Sequence, residues 1–170
     1  MTGTPAPRAS PSPEVDSREQ LADAIVQRSH DIERRWLEQV KKSLKRDDVS
    51  QTELRDSMPE YVLRLADGLR QPGTVEAGGS SSWVNVARAH AASRVRLGFD
   101  IDQLVDDFVV LRRVLSRVMD EEGLLLDAPQ SSRIADMIEG AIAAALANAN
   151  REVPHRRESD PSRPSLRSPP

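Results

Sequence analysis

The chain has 170 residues, a formal net charge of -3 and 24 Lys plus Arg mixed among 27 Asp plus Glu, so it lacks the gathered positive charge that neutralising a nucleic-acid backbone requires. It has no cysteine, which removes disulfides, thiolate metal sites and cysteine nucleophiles together. The N-terminus has no apolar core for a signal peptide, and no apolar run nears the roughly 20 residues of a membrane helix, so the expected location is the cytoplasm.

In chain order, residues 1–15 and 153–170 are rich in proline and small polar residues and are expected to be disordered tails. The domain between them, 16–152, has a helical hydrophobic period throughout. Leu21, Ile25, Ile32, Trp36, Val40 and Leu44 form one stripe, predicting a helix near 17–46, with Ser17 and Gln20 as its capping box. Ser50 and Glu53 offer a second box before a stripe of Leu54, Met58, Tyr61, Val62, Leu65 and Leu69. Pro59 inside that stripe calls for a kink or a restart after Ser57. The segment "EAGGSSSW" lacks the Lys and spacing of a phosphate-binding loop and reads as a flexible connection.

A third helix is expected from Ser81 or Ser82 to Leu97, closed by Gly98 in the left-handed region with Phe99 folding back. The fourth starts at Asp100, with Gln103 three residues on, and its stripe is Ile101, Leu104, Val105, Phe108, Leu111, Leu115, Val118 and Met119. The fifth, about 129–151, carries Ile134, Met137, Ile138, Ala141, Ile142, Ala145 and Leu146. No segment sustains a period of two, so the fold class is all-α, a bundle of about five helices.

His90 and Arg94 are four apart and share a helical face just before the Gly98 turn. Asp106 or Asp107, about two turns into the next antiparallel helix, is placed to face them. The plain expectation is an interhelical salt bridge beside a helix C-terminus; the sharper one is a pocket or interface that senses something. The acidic pairs Asp47-Asp48, Asp106-Asp107 and Glu121-Glu122 are adjacent in sequence and point to different faces. They read as solvated faces and caps, not as the paired groups of acid-base catalysis. The Glu-x-x-His spacing of a di-metal bundle does not occur, since Gln27 and Ala87 stand three before His30 and His90. Neither catalysis, a metal nor a cofactor is expected.

Taken together, His90, Arg94, Gly98 and Phe99, then Asp107, Phe108, Leu111 and Arg112, follow the order His-x-x-x-Arg-x-x-x-Gly-Phe and acidic-aromatic-x-x-Leu-Arg. With Trp36 and Met58-Pro59 upstream, this resembles the N-terminal sensor domain of stressosome RsbR-type co-antagonists and of many soluble bacterial histidine kinases, over about residues 17–150. The resemblance implies a globin-like bundle without haem that dimerises and passes a signal to an output domain. It points to Trp36, His90, Arg94, Phe99, Asp107, Phe108 and Arg112 as ligand or interface candidates, and to a homodimer with a partner kinase or stressosome-type regulator. After Arg151 no phosphoacceptor region, ATP-binding glycine boxes or sulfate-transporter-anti-sigma-like module follows, so the chain is expected to be a solitary regulator, an orphan sensor or a shortened relative of a kinase.

Two other readings compete. A haem globin would need His90 as proximal ligand and an apolar pocket, which two Trp, one Tyr and two Phe supply poorly. A histidine-phosphotransfer module would need Lys or Arg three after the histidine and glycine at the fourth, where this chain has Ser93 and Arg94. For dimerisation, Ile134, Ile138, Ile142 and Leu146 form either a seam with a second copy or a wall of the monomer core.

Overall fold

The computed structural model describes residues 13–44, 49–55, 57–71, 82–124 and 126–158. Among them are seven helices: α1 (Pro13–Gln27), α2 (Ser29–Leu44), α3 (Gln51–Arg55), α4 (Met58–Arg70), α5 (Ser82–Arg96), α6 (Ile101–Glu121) and α7 (Ala128–Glu158). The fold is all-α, as the hydrophobic period requires. The expected connection at "EAGGSSSW" lies almost wholly outside the described residues, as do Asp47, Asp48 and the outer parts of both tails.

Local chemistry sets most of the helix ends. Ser50 and Glu53 close the expected box: Ser50 N–H donates to Glu53 Oε2 at 2.9 Å, and Glu53 N–H donates to Ser50 Oγ at 3.2 Å. The helix stops at Arg55 and α4 restarts at Met58, with Pro59 in its first turn, where a missing N–H costs nothing. Gly98 has φ 80°. Its N–H reaches Val95 O at 3.0 Å, and the Phe99 N–H reaches Arg94 O at 3.0 Å, which is the Schellman closure of α5. Asp100 and Gln103 then cap α6 reciprocally.

Three boundaries differ from the sequence reading. The first helix begins at Pro13, so Ser17 lies inside it and is no cap; Gln130 Nε2 donates to the Ser17 hydroxyl and, at 3.2 Å, to its carbonyl. The long helix expected over 17–46 is interrupted at Arg28, whose side chain pairs with Asp31 and with Glu122 at the end of α6. The last helix runs to Glu158, past its expected end near residue 151 and into the expected tail. Its start carries a capping box that the sequence reading passed over, Asp127 with Gln130.

The core lies where α1 meets α4, α2 meets α6, and α5 meets α7. Trp36, Tyr61, Phe108, Leu65, Leu111 and Leu115 are wholly buried in it. Removing this apolar area from water is the main force holding the helices together. Ile134 and Ile138, at 4% and 1% exposure, are part of the same core, and Ile142 packs against it. Those isoleucines therefore wall the monomer. Ile101, expected in the α6 stripe, is instead 46% exposed, because it starts the helix beyond the reach of the neighbouring elements.

Candidate functional site

The sequence signature converges on one buried place. His90 and Arg94 stand one turn apart on α5 and Asp107 stands on α6; His90 and Arg94 are 0% exposed and Asp107 2%. The Gly98 turn makes α5 and α6 neighbours in the chain, and it selects between the two aspartates. Asp107 faces inward, while Asp106 is exposed. The expectation that this acidic pair is a solvated face thus fails for Asp107, since residues 100° apart on a helix cannot share one environment.

Arg94 Nε donates to Asp107 Oδ2 at 2.6 Å. Its Nη1 donates to the Glu53 carbonyl at 3.2 Å, and its Nη2 donates to the Leu54 carbonyl. Those carbonyls lie at the end of the short helix α3, where the last carbonyls have no intrahelical N–H to accept from. One guanidinium thereby ties α3, α5 and α6 together, in a fork geometry a lysine could not reproduce. Its carbon lies 5.6 Å from the Trp36 ring centroid and 5.0 Å from that of Phe99, so the buried cation is also stacked against aromatic faces.

His90 completes the cluster. Its Nε2 is 3.2 Å from Asp107 Oδ2 and its Nδ1 is 3.3 Å from Ser57 Oγ. A carboxylate only accepts, so the Nε2 contact requires a proton on that nitrogen, while Nδ1 is engaged by the Ser57 hydroxyl. Phe108 and Trp36 meet the imidazole edge-on, with centroids 5.6 and 6.2 Å away. Trp36 Nε1 donates to the Asp107 carbonyl at 3.1 Å, which fixes α2 against α6. Tyr61 stacks on the other side of Phe108 at 5.6 Å, and burial raises the pKa of its hydroxyl.

Six of the seven candidates, Trp36, His90, Arg94, Phe99, Asp107 and Phe108, are therefore brought together. Arg112 is not: it is exposed on the outer side of α6, because four residues beyond Phe108 plus the helical drift carries it off the buried stripe. The sequence reading missed Ser57 and the Glu53 and Leu54 carbonyls. Ser57 had only its place before Met58-Pro59 to mark it, and backbone acceptors leave no signature. It also missed Glu33, 7% exposed and paired with Arg55.

Chemically the arrangement is a closed tie. A crevice of about 40 Å³ between Val40, Ser43, Gln103, Asp106, Asp107 and Val110 reaches the cluster and has room for water. A wider groove of about 390 Å³, between Val26 on α1 and Leu63 on α4, lies apart from it. Among the described residues no three His, Asp or Glu side chains gather as metal ligands, and no helix is long and apolar enough to cross a membrane.

The family model of the RsbT co-antagonist protein rsbRD N-terminal domain matches residues 19–160, and the chain belongs to that family. No curated protein and no solved structure matches it.

Proposed function

We propose that this rsbRD N-terminal domain is a non-catalytic sensor module of the stressosome type, working in the cytoplasm as a homodimer and signalling through protein contacts to a regulator or kinase partner. The observation that carries this reading is the match over residues 19–160 to a domain of an RsbT co-antagonist. The site's chemistry agrees with it. His90, the candidate general base or ligand, is fully buried with both ring nitrogens engaged, whereas a base must reach a substrate proton. The same geometry weighs against the haem reading, since a proximal histidine needs a free nitrogen facing a cavity. It also weighs against phosphotransfer, which needs an exposed imidazole. The Trp36, His90, Arg94 and Asp107 cluster serves instead as the rigid joint through which α2, α3, α5 and α6 respond together to a contact at the surface.

The test is an absorption spectrum of the purified protein after adding haem, for the wild type and for His90→Ala. The proposal expects no Soret band that depends on His90. A band present in the wild type and lost in His90→Ala would replace the protein-contact reading with a haem sensor.

A further inference from the structure

The exposed face of α6 carries charges that the monomer does not use. Asp102 and Asp106 lie in its first half, Arg113 and Arg117 in its second, and all four are exposed. None has an ion pair or hydrogen bond among the described residues. Elsewhere on the surface many charges are paired, among them Asp31, Arg34 and Arg35 of α2, Arg64 and Arg70 of α4, and Arg28 just before α2. At 100° per residue these four charges fall in a stripe about 60° wide, which the exposed Asp120 of the last turn also enters, with the half-buried Val109 beside it.

The pattern is costly for a helix alone. Asp102 with Asp106, and Arg113 with Arg117, are like charges at a spacing of four, which repel. The helix macrodipole favours acid at the start and base at the end, but it fades within one turn. It therefore leaves Asp106 and Arg113 unexplained.

A two-fold axis explains all four. Asp106 and Arg113 are symmetric about the point between residues 109 and 110, and Asp102 and Arg117 are symmetric about that same point. Two copies of α6 laid antiparallel across this point would set Asp106 against the partner copy's arginine at position 113, and Asp102 against that at position 117, each pair occurring twice. The inner charges lie about 5 Å along the helix from the axis and the outer ones about 11 Å. A shallow crossing of roughly 20° keeps both sets in reach. Self-complementarity of this kind is what an isologous interface requires.

We infer that the Asp102, Asp106, Arg113 and Arg117 face of α6 is the docking surface for a second copy of this chain, centred on Val109. This rests on the homodimer reading above and gives it a location. The charges set the register of the pairing, and the half-buried valines Val105 and Val109 supply the apolar contact between them.

Sedimentation equilibrium of the full chain tests it, with circular dichroism to confirm that each variant stays helical. Asp106→Arg and Arg113→Asp alone are each expected to weaken association roughly tenfold or more, since each change replaces two attractions by two repulsions. The double variant Asp106→Arg with Arg113→Asp re-forms the pairs in reversed sense and is expected to associate as the wild type does, with both weakened by salt. If the double variant stays as weak as the singles, or if all variants associate like the wild type, the α6 face is not the interface, although the dimer reading stands. A wild type that remains monomeric overturns both.

Discussion

Arg94 and Asp107 meet at 2.6 Å with neither side chain more than 1% exposed, so α5 and α6 are joined by a fully desolvated ion pair. Such a pair gains little net stability over an apolar replacement, yet breaking it leaves a buried charge uncompensated. Arg94→Met is therefore expected to destabilise the fold by about 3–5 kcal/mol, measured by urea denaturation. Pairing it with Asp107→Leu is expected to recover only part of the loss, because the Glu53 and Leu54 carbonyls lose their donor in both. Full recovery would show that the contacts to α3 contribute nothing.

Trp36→Phe keeps an aromatic ring against His90 and removes the donor to the Asp107 carbonyl. The expected loss is about 1 kcal/mol, read as a lower midpoint at unchanged denaturant slope. A loss several times larger would mean that the smaller ring also opens the core.

At Gly123 the backbone has φ 71°, and a Cβ there would meet nothing within 4 Å. Gly123→Ala is thus an unobstructed measure of the left-handed closure of α6, and is expected to cost about 1–2 kcal/mol. No change in thermal stability would show that the turn relaxes to another conformation.

Asp31 is held below the usual carboxylate range mainly by its hydrogen bond from Arg28, and Glu121 mainly by its hydrogen bond from Arg35. A carboxyl whose folded pKa is depressed adds stability above its unfolded pKa and loses it as pH falls through the folded value. Stability is therefore expected to decline below about pH 4, modestly because the groups are near solvent. Thermal scans across that range should show a shallower decline for Asp31→Asn; an unchanged slope would assign the acid sensitivity to other carboxylates.

Much of this was legible in the sequence, because caps and periods are local. Ser50 with Glu53, Asp100 with Gln103, the glycine at 98 and the break before Pro59 each announced an element end within four residues, and each end is where that chemistry put it. Helical spacing placed His90 and Arg94 together on one face, while Trp36, Phe99 and Phe108 were marked only by the family resemblance. The choice of Asp107 over Asp106 was not legible from spacing, since it turns on a rotation set by the Gly98 turn. Contacts made between distant segments were hidden as well. Arg28 with Glu122 is separated by 94 positions, and no pattern in either segment refers to the other. Ile138 shows the same limit: its four-residue spacing suits a seam or a core wall equally, and only the placement of α7 against α5 and α6 assigns it to the core.

The most direct test of the account is the mass of the purified full chain in solution, measured by light scattering over a range of concentrations. A signalling domain that works as a homodimer predicts about twice the chain mass of 18.8 kDa. A mass that stays at one chain throughout would contradict it.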